Sequence, residues 1–323
     1  MATSDLHTPV QLERTVELLA PAIGGEHAVL VDATLGMGGH AEAFLTRFPS
    51  LTVIGLDRDQ EALALAGQRL APFGERARLV HTVFDGIDTA LRRLKISSVN
   101  GVLFDLGVSS LQLDRVDRGF SYSKDAPLDM RMDATSELTA ERILAEYSEH
   151  DLRRIFTEYG EEKLSARYAR RIVQVRAEHP FVRSAQLVDV ISAATPAAVQ
   201  RSGHPAKRVF QALRIEVNQE LKALENGLPK AVDALAVGGR IVVLAYQSLE
   251  DRIVKRYLQA KASSTAPAGL PVELPEHRPE LRLLVRGAEL ADDDEKAANP
   301  RATPVRLRAA ERVRPAERVR GVS

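Results

Sequence analysis

The chain has 323 residues, of which 45% are hydrophobic and 27% charged, a composition typical of a soluble globular protein with about two domains. Lysine plus arginine and aspartate plus glutamate number 44 each, so the distribution of charge, and not its total, must indicate any nucleic-acid partner. The absence of cysteine excludes disulfides, thiolate catalysis and cysteine-bound zinc, and the lack of an apolar N-terminal segment or of a run of about 18 apolar residues predicts a cytoplasmic protein without a membrane span.

The first part of the chain alternates helical and strand patterns. Helices are predicted near residues 9–19, from about 40, at 59–70 and at 87–94, and strands at 29–33, 51–56, 77–81 and 101–106. Alternation at this spacing is typical of βαβ units, in which a parallel sheet has helices on both faces. We therefore predict an α/β fold with a doubly wound, mostly parallel sheet.

The alternation stops after residue 106, and no fully apolar strand appears before residues 239–245. The simplest interpretation is a helical domain inserted into the sheet domain, followed by one long helix at 206–225. We assign residues 1–110 and 206–323 to the sheet domain and residues 111–205 to the insert. Residues 281–286 and 305–307 are predicted to be two short strands that close the sheet as an antiparallel pair. Residues 260–279 and 291–297 are predicted to be loops, and the chain is predicted to fray after residue 315.

A glycine-rich turn follows the first strand in the segment V-L-V-D-A-T-L-G-M-G-G-H, residues 29–40. Glycine tolerates positive φ and allows a ligand to approach the backbone, and the N–H groups at a helix start favour polar or anionic ligand atoms. Asp57 ends the second strand 21 residues after Gly36, where a carboxylate can accept hydrogen bonds from ribose hydroxyls. The pattern predicts an adenosine-containing cofactor, with a tight turn that binds no ligand as the alternative.

Two classes of cofactor fit this turn. The spacing Gly36-x-Gly38-x-x-Ala41 matches the dinucleotide pattern, so a nicotinamide-dependent oxidoreductase is one interpretation. Asp105, however, ends the fourth strand in F-D-L-G-V-S-S, at the sheet edge where open α/β folds bind ligands. Acids at the ends of the first, second and fourth strands favour S-adenosylmethionine, whose ribose, adenine and amino-acid tail need polar partners but no diphosphate site.

His40 stands at the start of the helix that follows the glycine turn. The positive end of the helix dipole disfavours the imidazolium form there, so we expect a neutral ring that either contacts ligand or caps the turn. No clustered metal-ligand spacing is found, and we predict no metal site.

The loop after the fourth strand is long for a compact domain, and it contains Phe120 and Tyr122. Long loops of this kind are usually functional or disordered, and the aromatic residues argue against disorder. We favour a lid or a substrate channel. The alternative is a loop packed on its own apolar residues, in which Asp129 and Arg131 form an ordinary local ion pair.

Basic residues concentrate in the predicted insert. On a helix predicted to begin near Glu161, the spacing of four apolar residues indicates a buried stripe: Leu164, Tyr168, Ile172 and Val175. Another face carries Lys163, Arg167, Arg170 and Arg171. One interpretation is that this face binds the phosphate backbone of RNA. The alternative is a solvated surface whose positive charges are neutralised by neighbouring glutamates. A second, weaker basic cluster is formed by Arg306, Arg308, Arg312 and Arg314.

Eight ordered motifs together resemble one protein family. They are H-T-P-V at His7, D-A-T-L-G-M-G-G-H at Asp32, G-L-D-R-D at Gly55, F-D-L-G-V-S-S at Phe104, R-G-F-S-Y-S-K-D-A-P-L-D-M-R-M-D at Arg118, Y-G-E-E-K at Tyr159, H-P-A-K-R-V-F-Q-A-L-R-I at His204 and Q-S-L-E-D-R-I-V-K at Gln247. In this combination the sequence closely resembles the bacterial small-subunit ribosomal RNA cytosine-N4 methyltransferases, the RsmH or MraW family, from His7 to about Arg312.

The resemblance implies an S-adenosylmethionine-dependent methyltransferase sheet with a helical insert that recognises the substrate. It implies as substrate a cytidine in the decoding region of 16S ribosomal RNA, within the small ribosomal subunit, and it is compatible with a homodimer. Carried onto matching positions, the cofactor residues are Gly38, Gly39, His40, Asp57, Phe84, Asp105 and Gln112. Tyr246-Gln247 stands where many members have a phenylalanine-histidine pair, so we assign no general base at that position.

By the same resemblance, the reacting group is the cytosine N4 amine. We expect Asp105 to be the catalytic residue, hydrogen-bonded near this amine or the cofactor. Ser109, Ser110 and Tyr246 are expected to border the target base, and Lys163, Arg167 and Arg171 to bind the RNA backbone. A ribosome-assembly factor that keeps the fold without catalysis is a further alternative.

Overall fold

The computed structural model describes residues 9–200, 203–267 and 274–315, with only the backbone of Ser110 and Asp114. Four of the sequence predictions lie wholly or partly outside these residues: the motif at His7, the Ser110 side chain, part of the loop at 260–279 and the fraying after 315. The chain divides into two compact units, Met1–Gly107 with Lys222–Ser323, and Val108–Leu221.

The helices of the described residues are α1 (Leu12–Ile23), α2 (Gly39–Arg47), α3 (Gln60–Leu70), α4 (Ile87–Arg93), α5 (Ser110–Asp114), α6 (Ala140–Glu146), α7 (Glu149–Glu158), α8 (Ser165–Arg176), α9 (Ser184–Ala194), α10 (Ala197–Gln200), α11 (Ala206–Asn218), α12 (Glu220–Ala234), α13 (Ser248–Lys261) and α14 (Asp293–Ala298). The strands are β1 (Val29–Asp32), β2 (Thr52–Asp57), β3 (Ala77–His81), β4 (Val99–Asp105), β5 (Leu235–Ala245), β6 (Leu281–Leu283) and β7 (Arg306–Arg312). Within the described ranges, no helix has both the length and the apolar character that crossing a bilayer requires.

The first unit contains one seven-stranded sheet with the order β3-β2-β1-β4-β5-β7-β6. Strands β1 to β5 pair in parallel, and β7 is antiparallel to both β5 and β6. The predicted fold class, a doubly wound and mostly parallel sheet, is confirmed. Because β2, β1 and β4 are parallel neighbours, the acids that end them lie at the same edge of the sheet.

Both faces of this sheet are buried, as the nearly continuous apolar strands predict. Successive residues point to opposite faces: Leu30 and Leu103 belong to the core beneath α1 and α2, whereas Val31 and Phe104 belong to the core beneath α4 and α12. Each of these side chains is fully buried. The two cores hold the strands rigidly, and so they also hold the functional side chains at the strand ends.

The second unit is helical and has its own core, formed mainly by α6 to α9 and α11. The loop before α6 contributes to it, because Phe120 and Met130 are only 8% and 0% exposed. Asp129 and Arg131 form a local ion pair at 2.8 Å. These contacts match the alternative that we set beside a lid, namely a loop packed on apolar residues with local ion pairs.

The long helix predicted at 206–225 was wrong, since α11 and α12 are separate helices. Gln219, between them, is left-handed with φ 50°. Helix α11 packs on α6, α7 and α9, so the second unit extends to Leu221 rather than to our expected boundary at residue 205. Helix α8 begins at Ser165, later than predicted, because Glu161 has φ 47°, which a right-handed helix does not allow.

Candidate active site

The glycine turn after β1 combines two left-handed glycines with one that is sterically required. Gly36 and Gly38 have φ of 53° and 80°, a conformation that favours glycine. A Cβ at Gly36 would meet no atom within 4 Å, whereas a Cβ at Gly39 would lie 2.8 Å from the Pro9 side chain. The left-handed backbone therefore favours glycine at position 36, and close packing against Pro9 at the start of α2 requires glycine at position 39.

Asp57, at the end of β2, is held by the turn itself. Its Oδ2 accepts the Gly36 N–H at 2.7 Å, and its Oδ1 accepts the Asp59 N–H at 2.8 Å. Burial raises the pKa of Asp57, and these two hydrogen bonds oppose the rise. A carboxylate has about four acceptor positions, so each oxygen of the fixed side chain can still accept a hydrogen bond from a ligand.

Asp32, at the end of β1, is buried and only partly satisfied. Its side chain is 1% exposed, and Oδ1 accepts the Thr34 N–H at 3.3 Å. No described atom hydrogen-bonds the buried Oδ2. Burial, with repulsion from Asp105 and Asp57, raises the pKa of Asp32 to about 7. An unsatisfied buried acceptor is unfavourable, so a ligand that brings an ammonium or N–H donor fits this position.

Asp105 ends β4, and two different elements fix it. Its backbone N–H donates to Thr34 Oγ1 at 2.6 Å, and Oδ1 accepts the Tyr246 hydroxyl hydrogen at 2.7 Å. The side chain keeps 27% of its surface exposed. Burial raises the pKa of Asp105, while His40 and the Tyr246 hydroxyl oppose the rise. The carboxyl is therefore fixed in position but open on one side.

His40 is 6% exposed and lies between Val10 and Asp105. Because the Val10 carbonyl can only accept, Nε2 carries the ring hydrogen in this 3.1 Å contact. Nδ1 then faces Asp105 Oδ2 at 3.7 Å. Burial lowers the pKa of His40, the direction that the helix start also predicts, while the charge of Asp105 and the Val10 carbonyl oppose this shift. Gly38 is the N-cap of α2, and no side chain caps it; ligand contact by His40 stays a prediction.

Phe84 follows β3 in a short 3₁₀ turn, Phe84–Gly86. Its ring packs edge to face on Phe104 of β4, with centroids 5.4 Å apart. A Cβ on Gly227 of α12 would come within 2.9 Å of the Phe84 ring. The glycine thus allows this helix to hold the ring in place, while the Phe84 side chain stays partly exposed.

Tyr246 is positioned by Glu250, which sequence reasoning missed. The buried Glu250 carboxylate accepts the N–H groups of Tyr246 and Gln247, each at 3.0 Å. Gln247 and Glu250 form a capping box at the start of α13, and a glutamate three residues after the residue that precedes a helix is the sequence signal for such a cap. Burial and the adjacent Asp105 raise the pKa of Tyr246 well above its usual value, so its hydroxyl remains a donor.

Two predicted site residues of the second unit cap a helix. Ser109 Oγ accepts the Gln112 N–H at 3.2 Å, and Gln112 Oε1 accepts the Ser109 N–H at 3.1 Å. This reciprocal pair is a capping box at the start of α5. Their roles toward base and cofactor stay predictions, as does that of Ser110.

The basic residues predicted to bind RNA are exposed in the second unit. Lys163 lies in the turn before α8, and Arg167 and Arg171 are four residues apart on that helix. In the described residues none of the three has an ion-pair partner, whereas Arg170 lies 3.6 Å from Glu149. Tyr168 and Ile172 are buried on the opposite side, as predicted.

The C-terminal arginines do not form an exposed cluster. Arg308 is paired with Asp251 at 2.7 Å, and Arg312 is fully buried, with Nη1 donating to the Val232 carbonyl. These side chains tie β7 to its neighbours. No group of three or more potential metal ligands is found in the described ranges.

The chain is similar to known proteins along nearly its whole length. Residues 4–313 match the profile of the MraW methylase family. The chain is 73% identical to Ribosomal RNA small subunit methyltransferase H of Leifsonia xyli subsp. xyli, with 98% of each chain covered. It is 71% identical to the protein of the same name from Clavibacter michiganensis subsp. michiganensis, with 97% of this chain and 99% of the relative covered.

Among solved structures, it is similar to an rRNA methylase from Streptococcus thermophilus, with a TM-score of 0.45 and 12% identity over 95% of this chain and 99% of the other. The assignment rests on the family profile and the sequence relatives, because both cover nearly the whole chain and the relatives are more than 70% identical. The chain belongs to the MraW methylase family.

Proposed function

We propose that this protein is an S-adenosylmethionine-dependent methyltransferase that methylates N4 of a cytidine in the decoding region of 16S ribosomal RNA. The observation that carries the proposal is the row of acids at the ends of β1, β2 and β4, beside the glycine turn, in a chain of the MraW methylase family. Small-subunit ribosomal RNA is the substrate class that the names of the relatives indicate.

The residues of the first unit fit the parts of the cofactor. Asp57 has acceptor capacity left for ribose hydroxyls, and Phe84 offers a partly exposed ring to the adenine. The unsatisfied Asp32 Oδ2 suits the ammonium group of the amino-acid tail. Gly38 and Gly39 keep the turn free of side chains. By family resemblance, His40, Asp105 and Gln112 complete the cofactor residues.

When bound, S-adenosylmethionine supplies a methyl group on a positively charged sulfur. Cytosine N4 is a weak nucleophile because its lone pair is delocalised into the ring, so the protein must orient the amine and accept a proton as the methyl is transferred. Asp105 suits this task, since it is fixed by Thr34 and Tyr246 yet partly exposed. Correct orientation can lower the barrier by about 7–11 kcal/mol in favourable cases.

The target base must leave any stacked context to reach a pocket, which costs a few kcal/mol. Phosphate contacts from Lys163, Arg167 and Arg171 can offset this cost. Ser109, Ser110 and Tyr246 are proposed to border the base. We further propose that the substrate is a small-subunit particle in the cytoplasm. The sequence is compatible with a homodimer, and light scattering of the purified protein measures the assembly directly.

Radiolabelled methyl transfer tests the proposal. The protein, S-adenosylmethionine and small ribosomal subunits that lack the modification are incubated, and the labelled nucleotide is mapped. We expect one labelled cytidine in the decoding region. Binding of subunits without transfer would support a non-catalytic assembly factor, and equilibrium binding of NAD in place of S-adenosylmethionine would support an oxidoreductase. Either result contradicts the proposal.

A further inference from the structure

Three rings in the second unit form a row from the core to the surface. Phe210 of α11 is 3% exposed. Tyr122 packs edge to face on it, with centroids 6.0 Å apart. His204 stacks on Tyr122 with centroids 4.5 Å apart and an interplanar angle of 28°. Tyr122 is half-buried and His204 is exposed, so the row ends in a solvent-facing imidazole.

The orientation of the exposed ring is fixed. His204 Nδ1 accepts the Ala206 N–H at 3.2 Å, just before α11. The hydrogen bond to Ala206 orients the His204 ring, and Tyr122 covers one of its faces. A ligand that stacks on the other face therefore binds a ring that is already ordered, and the loss of side-chain entropy on binding is small.

Cationic residues lie within four positions of these rings in the sequence. Lys124 follows Tyr122 by two residues, and Lys207 follows His204 by three; both are exposed, and neither has an ion-pair partner in the described part of the chain. Arg208 is also exposed, and its guanidinium donates to the Glu161 carbonyl at 2.7 Å. The nearest acid in sequence, Asp125, is neutralised by Arg183.

An exposed aromatic face beside unpaired cations is how proteins bind single-stranded nucleic acid. Bases that are not paired stack on such rings, and cations contact the adjoining phosphates. We propose that the outer face of His204 is a stacking platform for an unpaired base of the RNA substrate, other than the methylated cytidine. This proposal rests on the proposed function, because it takes ribosomal RNA as the ligand.

Two substitutions at His204 separate stacking from capping, that is, from acceptance of the Ala206 N–H by the residue that precedes the N-cap Pro205. His204→Phe keeps an aromatic face but loses the acceptor for the Ala206 N–H. His204→Asn keeps a cap acceptor but loses the aromatic face. If the ring stacks on a base, the Asn variant binds RNA about tenfold more weakly, and the Phe variant binds within about twofold of the unchanged protein.

Affinity is measured by fluorescence anisotropy with a labelled single-stranded RNA of about 12 nucleotides, and by filter binding with small subunits that lack the modification. A 2-aminopurine scanned along the RNA gives a second readout, because its fluorescence falls when it stacks. We expect one position to be quenched by the unchanged protein and the Phe variant, but not by the Asn variant. Circular dichroism checks that all proteins fold.

The opposite order of affinities, with the Phe variant weakened and the Asn variant unchanged, would assign His204 to capping alone and overturn the platform. Equal affinity of all three proteins would also overturn it. Failure of the proposed function is seen separately, as an absence of methyl transfer by the unchanged protein. In that case, weaker RNA binding by the Asn variant still supports the stacking platform, and the missing methyl transfer contradicts the enzymatic activity.

Discussion

At the scale of single residues, the candidate active site is defined by three buried carboxyl groups. Asp32, Asp57 and Asp105 lie at neighbouring strand ends, and burial raises the pKa of each. Only Asp57 has backbone N–H groups on both oxygens. The three carboxyls therefore differ in what they can still accept, which suits them to different parts of one ligand.

The catalytic assignment of Asp105 is tested by Asp105→Asn, which preserves shape and removes the charge. A proton acceptor in the transition state typically contributes about 100-fold or more to the rate. We expect kcat for methyl transfer to fall by about that factor, with the melting temperature maintained. The matched control is Asp189→Asn, at an exposed position on α9. Normal turnover by the Asp105 variant would remove this residue from the mechanism.

Tyr246→Phe tests whether the hydroxyl positions Asp105. The hydrogen bond lowers the pKa of Asp105, so its loss raises that pKa further. If the ionised carboxyl is the working form, the acid limb of the kcat profile moves to higher pH by about one unit, the equivalent of one hydrogen bond to a charged group. Tyr257→Phe is the control, on α13 but away from Asp105. An unshifted acid limb would mean that the hydroxyl serves packing only.

Asp32 predicts a specific pH dependence of stability. Its pKa is about 7 in the folded protein against an ordinary 3.8, so its protonated form favours folding. This contribution is complete below about pH 4 and is lost as the pH rises to about 7, at about 1.4 kcal/mol per pKa unit. Relative to Asp32→Asn, the melting temperature of the unchanged protein should therefore fall over this window.

The Asp32 comparison has a surface control. Asp189→Asn should give a difference in melting temperature that does not vary over the same pH range, since its side chain is exposed. A constant difference for Asp32→Asn as well would show that folding does not raise the pKa of its carboxyl.

At the scale of elements, strand and helix ends were predictable where a local signal marks them. The prediction for β3 was the observed Ala77–His81, a short segment in which Ala77 and Leu79 alternate with Arg78 and Val80. The break between α11 and α12 was missed, since Gln219 is a good helix former and its left-handed conformation depends on tertiary contacts. Asn218, beside the break, makes two such contacts with the backbone of Met130 and Met132, and one local contact with the Arg214 carbonyl of its own helix.

Asn218→Ala tests this arrangement. The Asn218 amide binds the Met132 N–H and the Met130 carbonyl, each at 2.8 Å, and Met130 has φ 62°. Removal leaves buried backbone groups unsatisfied, at about 1–3 kcal/mol each. We expect a lower melting temperature and faster amide exchange around residue 130. The exposed Gln174→Ala on α8 is the control. Unchanged exchange near Met130 would contradict the role of Asn218.

At the scale of the whole molecule, a net charge of zero conceals an uneven distribution. Lys163, Arg167 and Arg171 are exposed in the second unit and have no ion-pair partner among the residues that the structure describes. The predicted C-terminal basic cluster instead makes internal contacts, such as the Arg308 pair with Asp251. Total charge could not have distinguished these two groups, because the distinction depends on which arginines are buried.

Changing Lys163, Arg167 and Arg171 together to glutamine tests the RNA grip. Each phosphate contact on a single strand contributes about 0.7 to the slope of log K against log salt. We expect weaker binding to small subunits and a slope that is shallower by about 2, measured by filter binding between about 50 and 200 mM salt. The matched control changes the exposed Arg92, Arg93 and Lys95 of the first unit. If both triple variants gave the same slope of log K against log salt, the three residues of the insert would not be the ones that bind the RNA phosphates.

The sequence by itself determined the parallel sheet, its glycine turn and the row of strand-end acids, because hydrophobic period and chain order place such residues at one edge without knowledge of other contacts. Only the tertiary structure decided the partners. Tyr246 reaches Asp105 across 141 residues, since Leu244 pairs with Asp105 in the β4 and β5 register. Such a register, like the burial that separates one arginine from another, arises from packing of distant segments and leaves no local signal.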